Sequence, residues 1–300
     1  MYFGFRDEFE YFQCAACGCL QIAEFPENLS KYYPKEYGAY KLHEKIHENW
    51  LLRYLKRRKL ENSLGMNSNP IGVLLNLFID KGFIKYLRPA HITMDSSILD
   101  VGTGHGSRLI SLRKKGFTNL TGIDPFIDND IEYDVDVKIY KKHISEAEGN
   151  YDMVMLNHSF EHMPDPLQSM KDIYRLLKHD RTALIRIPVA DSYGWRKYGV
   201  NWMAMDPPRH FYLHTRKSMS ILAHKVGFSI KMITYDSIPL HIAASEEFSR
   251  GIPLKAPNSF YNLPKKSIFS KEQLREFKKR TDKSNRNNEG DTACYYLFKK

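Results

Sequence analysis

A chain of 300 residues that is 42% hydrophobic and 13% aromatic has enough apolar matter for a sizeable core, which excludes a disordered protein and suggests about two domains. Its formal net charge of +10 at pH 7 suits an anionic partner without identifying one. The longest apolar stretch, Ile71 to Ile79, is broken by Gly72 and Asn76 and is far too short for a bilayer span, and Met1 to Glu8 lacks the basic-then-apolar order of a signal peptide, so a cytoplasmic location with reduced thiols is expected.

The first 62 residues read as a separate module. Cys14-Ala-Ala-Cys17-Gly forms half of a zinc knuckle, because a tight turn lets both thiolates reach one tetrahedral ion. A closed site needs four ligands, and no second Cys-x-x-Cys accompanies it. Cys19 and His43 are the candidates to complete the set, so zinc stays open; the last cysteine, Cys294, lies in the final apolar run. An aromatic stretch follows from Pro26 to Tyr40, then an amphipathic helix pattern over 42–60 and an Asn- and Ser-rich linker from Asn62 to Pro70. Residues 63–300 make up the larger domain, with no internal repeat.

Ser97 to Ser107 carries the sharpest signal. Ile98, Leu99 and Val101 read as a buried strand that breaks at Gly102, Gly104 and Gly106, and a helical stretch runs on to Lys115-Gly116. Glycines at such a junction let the backbone turn sharply against a bound nucleotide. Asp124 ends a second apolar run about 20 residues after Gly104, the spacing that delivers a ribose-binding carboxylate from the next parallel strand. A dinucleotide fingerprint requires Gly-x-Gly-x-x-Gly, yet here the third glycine comes one residue early and Ser107 takes its place. Asp100, just before the first glycine, would repel a pyrophosphate and attract the ammonium group of S-adenosylmethionine (SAM).

In these residues the chain resembles the class I SAM-dependent methyltransferases, whose first motif reads acidic-x-Gly-x-Gly. The resemblance implies a doubly wound, Rossmann-like α/β fold with a seven-stranded sheet whose last strand is antiparallel. It implies SAM as cofactor, with Asp100, Gly102, Gly104, Gly106, Asp124 and Asn157 lining its site. Cys14 to Cys19 resembles the N-terminal module of a branch associated with sugar and surface-polysaccharide modification, in which a Tyr-Tyr-Pro-x-x-Tyr stretch like that starting at Tyr32 packs near the cofactor mouth.

Tyr151 to Asn157 is a continuous apolar strand, and Glu161-His162-Met-Pro-Asp-Pro166 resembles the family's tail bordering the methyl-transfer site. A helix is expected from about Leu167 to Leu177, strands over Ala183–Pro188, Phe228–Tyr235 and Thr292–Phe298, and a helix over Lys217–Val226 closed by Gly227. Insertions near 189–215 and 237–290 stand where the acceptor would be roofed, with Trp195 and Trp202 suited to a sugar face and Arg209 to a phosphate.

Histidine titrates near neutrality, so it suits the removal of a proton from a methyl acceptor. His162 follows the fourth strand, and His210 lies in the first insertion; both are candidate bases. Asp206-Pro-Pro-Arg209 resembles an amino-directed DNA methyltransferase motif but sits in the wrong place, with arginine where an aromatic would stack on the base, which speaks against nucleic acid. The basic stretches Arg53 to Lys59 and Lys265 to Lys283 read either as solvated helix faces or as an anionic-partner surface. The expected function is SAM-dependent methyl transfer to a small-molecule, sugar or glycan-linked acceptor. The alternatives are a non-catalytic SAM-binding subunit and an NAD-binding oxidoreductase, the latter disfavoured by the glycine spacing and Asp100. Oligomeric state is not readable.

Overall fold

The computed structural model describes residues 2–33, 83–264 and 267–300. The helix expected over 42–60, the linker at 62–70, the Arg53 to Lys59 stretch, His43 and the residues from Pro34 to Tyr40 lie outside the described residues.

In chain order the strands are β1 (Tyr11–Gln13), β2 (Leu20–Ile22), β3 (Ile98–Val101), β4 (Leu120–Ile123), β5 (Ile131–Asp134), β6 (Val137–Tyr140), β7 (Tyr151–Asn157), β8 (Leu177–Pro188), β9 (Tyr212–Leu213), β10 (Phe228–Tyr235) and β11 (Thr292–Lys299). The helices are α1 (Ile84–Leu87), α2 (Ser107–Lys115), α3 (Pro166–Leu176), α4 (Tyr193–Tyr198), α5 (Arg216–Val226), α6 (Pro239–Phe248) and α7 (Lys271–Arg286).

Among the described residues, eight strands form the central sheet in the order β10-β11-β8-β7-β3-β4-β6-β5. The inner pairs from β8 to β6 are parallel, and β11 runs against both its neighbours, as expected of the last strand. The eighth strand corrects the expected count of seven: β5 pairs antiparallel with β6 at the far edge. Both are four-residue strands in an acidic stretch, too short to give a clear period.

Alternate residues of the inner strands enter opposite core layers, the mark of a sheet covered on both faces. Ile98, Met153, Met155, Leu184 and Tyr296 pack with Leu109 and Leu112 of α2 on one side. Leu99, Val154, Leu156, Ile185 and Tyr295 pack with Met170 and Ile173 of α3 and Met219 of α5 on the other. Local chemistry sets the helix ends. Asp165 caps α3 by accepting the Gln168 amide at 2.9 Å ahead of Pro166, and Gly227 ends α5 in the left-handed region at φ 97°.

The two insertions have structure of their own. Residues 189–215 contribute α4 and β9, and β9 pairs with β2, so the N-terminal hairpin is completed as a three-stranded sheet by a strand from the larger domain. Residues 237–290 contribute α6 and α7. Trp202, expected in a roof over the acceptor, is instead 1% exposed and donates its indole N–H to Asp291 Oδ1 at 3.1 Å, so it is a core residue. The described part of the Lys265 to Lys283 stretch lies mostly in α7, whose buried residues are Thr281 and Ser284, leaving its lysines to solvent.

Candidate active site

The chain leaves β3, visits β4 and β6 on one side, then returns to β7 on the other, so the strand order reverses between β3 and β7. Ligands of open α/β sheets bind in the crevice at such a point, outside the carboxyl ends of the strands. The loop Gly102 to Gly106, Asp124 and the segment after Asn157 all converge there.

Asp100 is fully buried in β3. Its Oδ2 accepts Thr103 Oγ1 at 2.9 Å and the Arg108 guanidinium at 3.4 Å, while Oδ1 accepts no hydrogen bond. Burial raises its pKa, and Arg108 and Thr103 oppose that rise. The free oxygen of a buried acid is what a cationic group would satisfy. Asp124 uses each oxygen once: Oδ2 accepts the Gly104 amide at 2.8 Å and Oδ1 the Phe126 amide at 2.9 Å. A carboxylate offers about four lone-pair sites, so both oxygens retain capacity for ribose hydroxyls. The residues fit a SAM cradle.

At two of the glycines the protein's own packing already forbids a side chain. Gly102 has φ 72°, and a Cβ there would come within 2.4 Å of Ser159 Cβ; at Gly106, φ 77°, it would meet Ile139 Cδ1 at 2.3 Å. Ser159 in turn donates to the Val101 carbonyl at 2.7 Å, which ties the loop after β7 to the end of β3. Asn157 Oδ1, at the end of β7, accepts from Arg186 at 3.3 Å. Arg186 also pairs with Asp236 at 2.7 Å and donates to His158, and Asp236 accepts from Tyr86, a polar network that sequence reasoning missed.

His162 and His210, the two candidate bases, lie together with ring centroids 4.8 Å apart. His162 donates Nδ1–H to the Arg209 carbonyl at 2.6 Å, and His210 donates Nδ1–H to the Ala204 carbonyl at 2.7 Å. Each ring therefore keeps its lone pair on Nε2. The low-dielectric surroundings of His162, and then its neighbour His210, push its pKa down to about 4. Glu161 sits beside them, fully buried. Burial alone would raise its carboxyl, but His158, His162 and His210 outweigh that and hold it at about 2. His158 Nδ1 lies 3.3 Å from Oε1, and because its Nε2 accepts from Arg186 it is the Nδ1–H that stands nearest the carboxylate. Glu161 is not among the candidate bases; an acid adjoining His162 soon after a buried strand is the sequence signal that points to it.

The N-terminal segment reaches this cluster. Tyr11 donates to the His210 carbonyl at 2.7 Å, Tyr33 Oη stands 3.3 Å from His162 Nδ1, and the Tyr33 ring stacks on Phe126, two residues after Asp124. Arg209, expected to meet a phosphate, is 2% exposed and bonds both oxygens of Asp206 at 2.6 Å, so its charge is already matched. Its guanidinium lies over the Tyr2 ring at 4.3 Å, beside a pocket lined by Tyr2, Phe3, Phe5 and Tyr32. Cys19 is buried with Sγ 3.8 Å from His214 Nδ1. Among the described residues, one group of three or more potential metal ligands comes together, Glu161, His162 and His210, and the N-terminal cysteines are not in it.

Comparison with known proteins agrees with the fold. A family model described as a methyltransferase domain matches residues 40–231. The chain is similar to EEF1A lysine methyltransferase 2 of Homo sapiens, 49% identical over 41 residues, which is 14% of this chain and 17% of that protein. Thus the chain spans under a fifth of that relative's length. Among solved structures it resembles Haemonchus contortus phosphoethanolamine N-methyltransferase 2, in complex with phosphomonomethylethanolamine and S-adenosylhomocysteine, with TM-score 0.46 and 16% identity over 80% of this chain and 60% of that one. It also resembles a SAM-dependent methyltransferase from Archaeoglobus fulgidus, with TM-score 0.43 and 18% identity over 84% of this chain and all (100%) of that one.

Proposed function

The chain belongs to the methyltransferase-domain family, and from that premise we propose that it transfers a methyl group from SAM to a small-molecule, sugar or glycan-linked acceptor. The observation that carries this is the pair of buried acids on the neighbouring strands β3 and β4, beside the strand-order reversal: Asp100 with an unsatisfied oxygen, and Asp124 bonded to the glycine loop. Bound SAM supplies an electrophilic sulfonium methyl. Asp100 would face its cationic amino end and Asp124 its ribose, with the loop from Gly102 to Gly106 between them. Asn157, at the end of β7 and bonded to Arg186, would border the same cofactor.

On the acceptor side, His162 and His210 present Nε2 lone pairs at the end of β7, where they receive and orient the acceptor's nucleophile. The aromatic pocket beside Arg209 supports an acceptor with apolar faces, such as a sugar ring, in place of the tryptophans expected from sequence.

Thermal unfolding with SAM, with S-adenosylhomocysteine and with NAD tests the cofactor. At a ligand concentration about 100 times Kd, linkage stabilises the protein by about 2.7 kcal/mol. A shift with NAD and none with SAM overturns the proposal. Incubation with methyl-labelled SAM and a small-molecule extract then separates an enzyme from a non-catalytic SAM-binding subunit: the enzyme labels an extract component, and the subunit does not.

A further inference from the structure

Glu161 is fully buried, and neither of its carboxylate oxygens accepts a hydrogen bond. An ionised carboxylate taken out of water in that state needs compensation by opposite charge. The groups around it do not supply it by hydrogen bonding. Arg209 is engaged by both oxygens of Asp206, and His162 and His210 turn their N–H groups away, onto the Arg209 and Ala204 carbonyls. With Nδ1–H of each ring bonded to a carbonyl, Nε2 is the nitrogen left to accept. His210 Nε2 lies 3.9 Å from Glu161 Oε1, and one ligand atom from each of the three residues lies within 4.8 Å of the others.

His158 Nδ1, 3.3 Å from Oε1, is the N–H-bearing group nearest the carboxylate among the described residues, and it leaves Oε2 without a partner. A buried anion so incompletely matched, with imidazole nitrogens beside it, is a favourable setting for a cation. We propose that Glu161, His162 and His210 bind one divalent transition-metal ion through one carboxylate oxygen and two imidazole nitrogens. Backbone carbonyls that hold the outer N–H of each ring are the usual support of metal-binding histidines, since they fix both tautomer and ring plane. A mixed nitrogen and oxygen set favours zinc or a neighbouring transition metal over magnesium or calcium, which prefer oxygen throughout. Metal–ligand bonds of about 2.0–2.2 Å require the triad to close by about an ångström, a movement within side-chain reach. Three protein ligands leave a coordination position open.

The role of that open position rests on the methyltransferase proposal; the existence of the site does not. An acceptor hydroxyl bound there is acidified and releases its proton to water. Its oxygen then forms the bond to the methyl carbon while the carbon–sulfur bond breaks, the electron pair staying on sulfur. The two imidazoles act in this scheme as ligands.

The test uses the full chain with Cys14→Ser and Cys17→Ser, so that the Cys-x-x-Cys pair cannot supply a competing site. After chelator treatment and dialysis, Zn2+ is titrated calorimetrically and Co2+ by visible absorption. The expected result is one ion per chain, with Co2+ ligand-field bands and no thiolate charge-transfer band. His210→Gln and Glu161→Gln should each weaken Zn2+ binding about tenfold or more. Absence of Co2+ binding in the protein lacking Cys14 and Cys17, or Zn2+ affinity unchanged in both variants, overturns the proposal. The Co2+ spectrum needs no change in the cluster, so it decides the matter even where a variant fails to fold. Loss of the SAM thermal shift would defeat the functional proposal and leave the ion site standing.

Discussion

Asp124 at the end of β4 accepts the amide hydrogen of Gly104 at 2.8 Å, so the acid expected to hold the ribose also shapes the glycine loop it faces. The same carboxylate accepts the Phe126 amide, which brings the next turn to the same point. One side chain thus organises three parts of the crevice.

Replacement of Asp124 by asparagine should therefore harm SAM binding in two ways. The new amide would set its N–H2 against a backbone N–H, and the charge that strengthens the ribose bonds would be gone. Hydrogen bonds to a charged acceptor are worth about 1.5–3 kcal/mol each, so loss of one weakens SAM roughly 10- to 100-fold. Calorimetric titration of a folded Asp124→Asn protein checks this. Unchanged affinity would show that the ribose lies elsewhere.

His162→Gln and His210→Gln should separate binding from chemistry. Both rings are anchored on Arg209 and Ala204 rather than on the glycine loop, so SAM affinity should stay near wild type. Turnover should fall by roughly 10²-fold or more, the usual size of a lost group acting on the proton of the nucleophile. Normal turnover in either variant removes that residue from the acceptor side.

Asp291 predicts a pH-dependent stability. Burial pushes its pKa from 3.8 up to about 6, against the hydrogen bonds from Ser192, Gly194 and Trp202. The folded protein holds this proton more tightly than the unfolded chain. The contribution is therefore fully present below about pH 4 and is lost as the pH rises through about 6, a change of roughly 3 kcal/mol. Urea unfolding of wild type and Asp291→Asn across this range should show the stability of the wild type falling relative to the variant. Parallel curves would contradict the assignment.

The cysteines should differ in reactivity. Amides of Cys17 and Ala16 hold the half-buried Cys14 thiol below its usual pKa, whereas burial pushes Cys19 and Cys294 up to about 12. Limiting iodoacetamide should label Cys14 first and leave Cys19 and Cys294 until the protein is unfolded, as read by peptide mapping. Early labelling of Cys294 would mean that β11 is more open than its burial indicates.

Elements with a strong local cause were legible in the sequence. β7 has the expected ends because Met153 to Leu156 is a continuous apolar run closed by Asn157, β10 because its apolar and polar residues alternate after Gly227, and α5 stops at Gly227 because only a left-handed residue closes it there. Asp100 and Asp124 were legible because their spacing from the glycines follows from strand and helix lengths. β9 was not, since two residues carry no period and Tyr212–Leu213 becomes a strand only by pairing with β2. Trp202 and Arg209 were misplaced for a related reason: composition shows what a side chain suits, but Asp291 and Asp206, each brought to its partner by folding, decide what it touches. Glu161 gained its meaning only when His210 arrived from the insertion.

The pairing of β2 with β9 also sets an order of events during synthesis. Leu20 finds its partner at Leu213, about 190 residues later, so the N-terminal hairpin leaves the ribosome long before the strand that completes its sheet exists. At roughly 5–20 residues per second that interval is on the order of 10–40 s. For that time Leu20 and Ile22, buried in the finished protein, stay uncovered by their final neighbours. Contacts so distant in sequence slow folding and leave apolar surface open to association. A nascent chain arrested before residue 213 should therefore expose this hairpin to protease and to chaperones, and one released after β9 emerges should protect it.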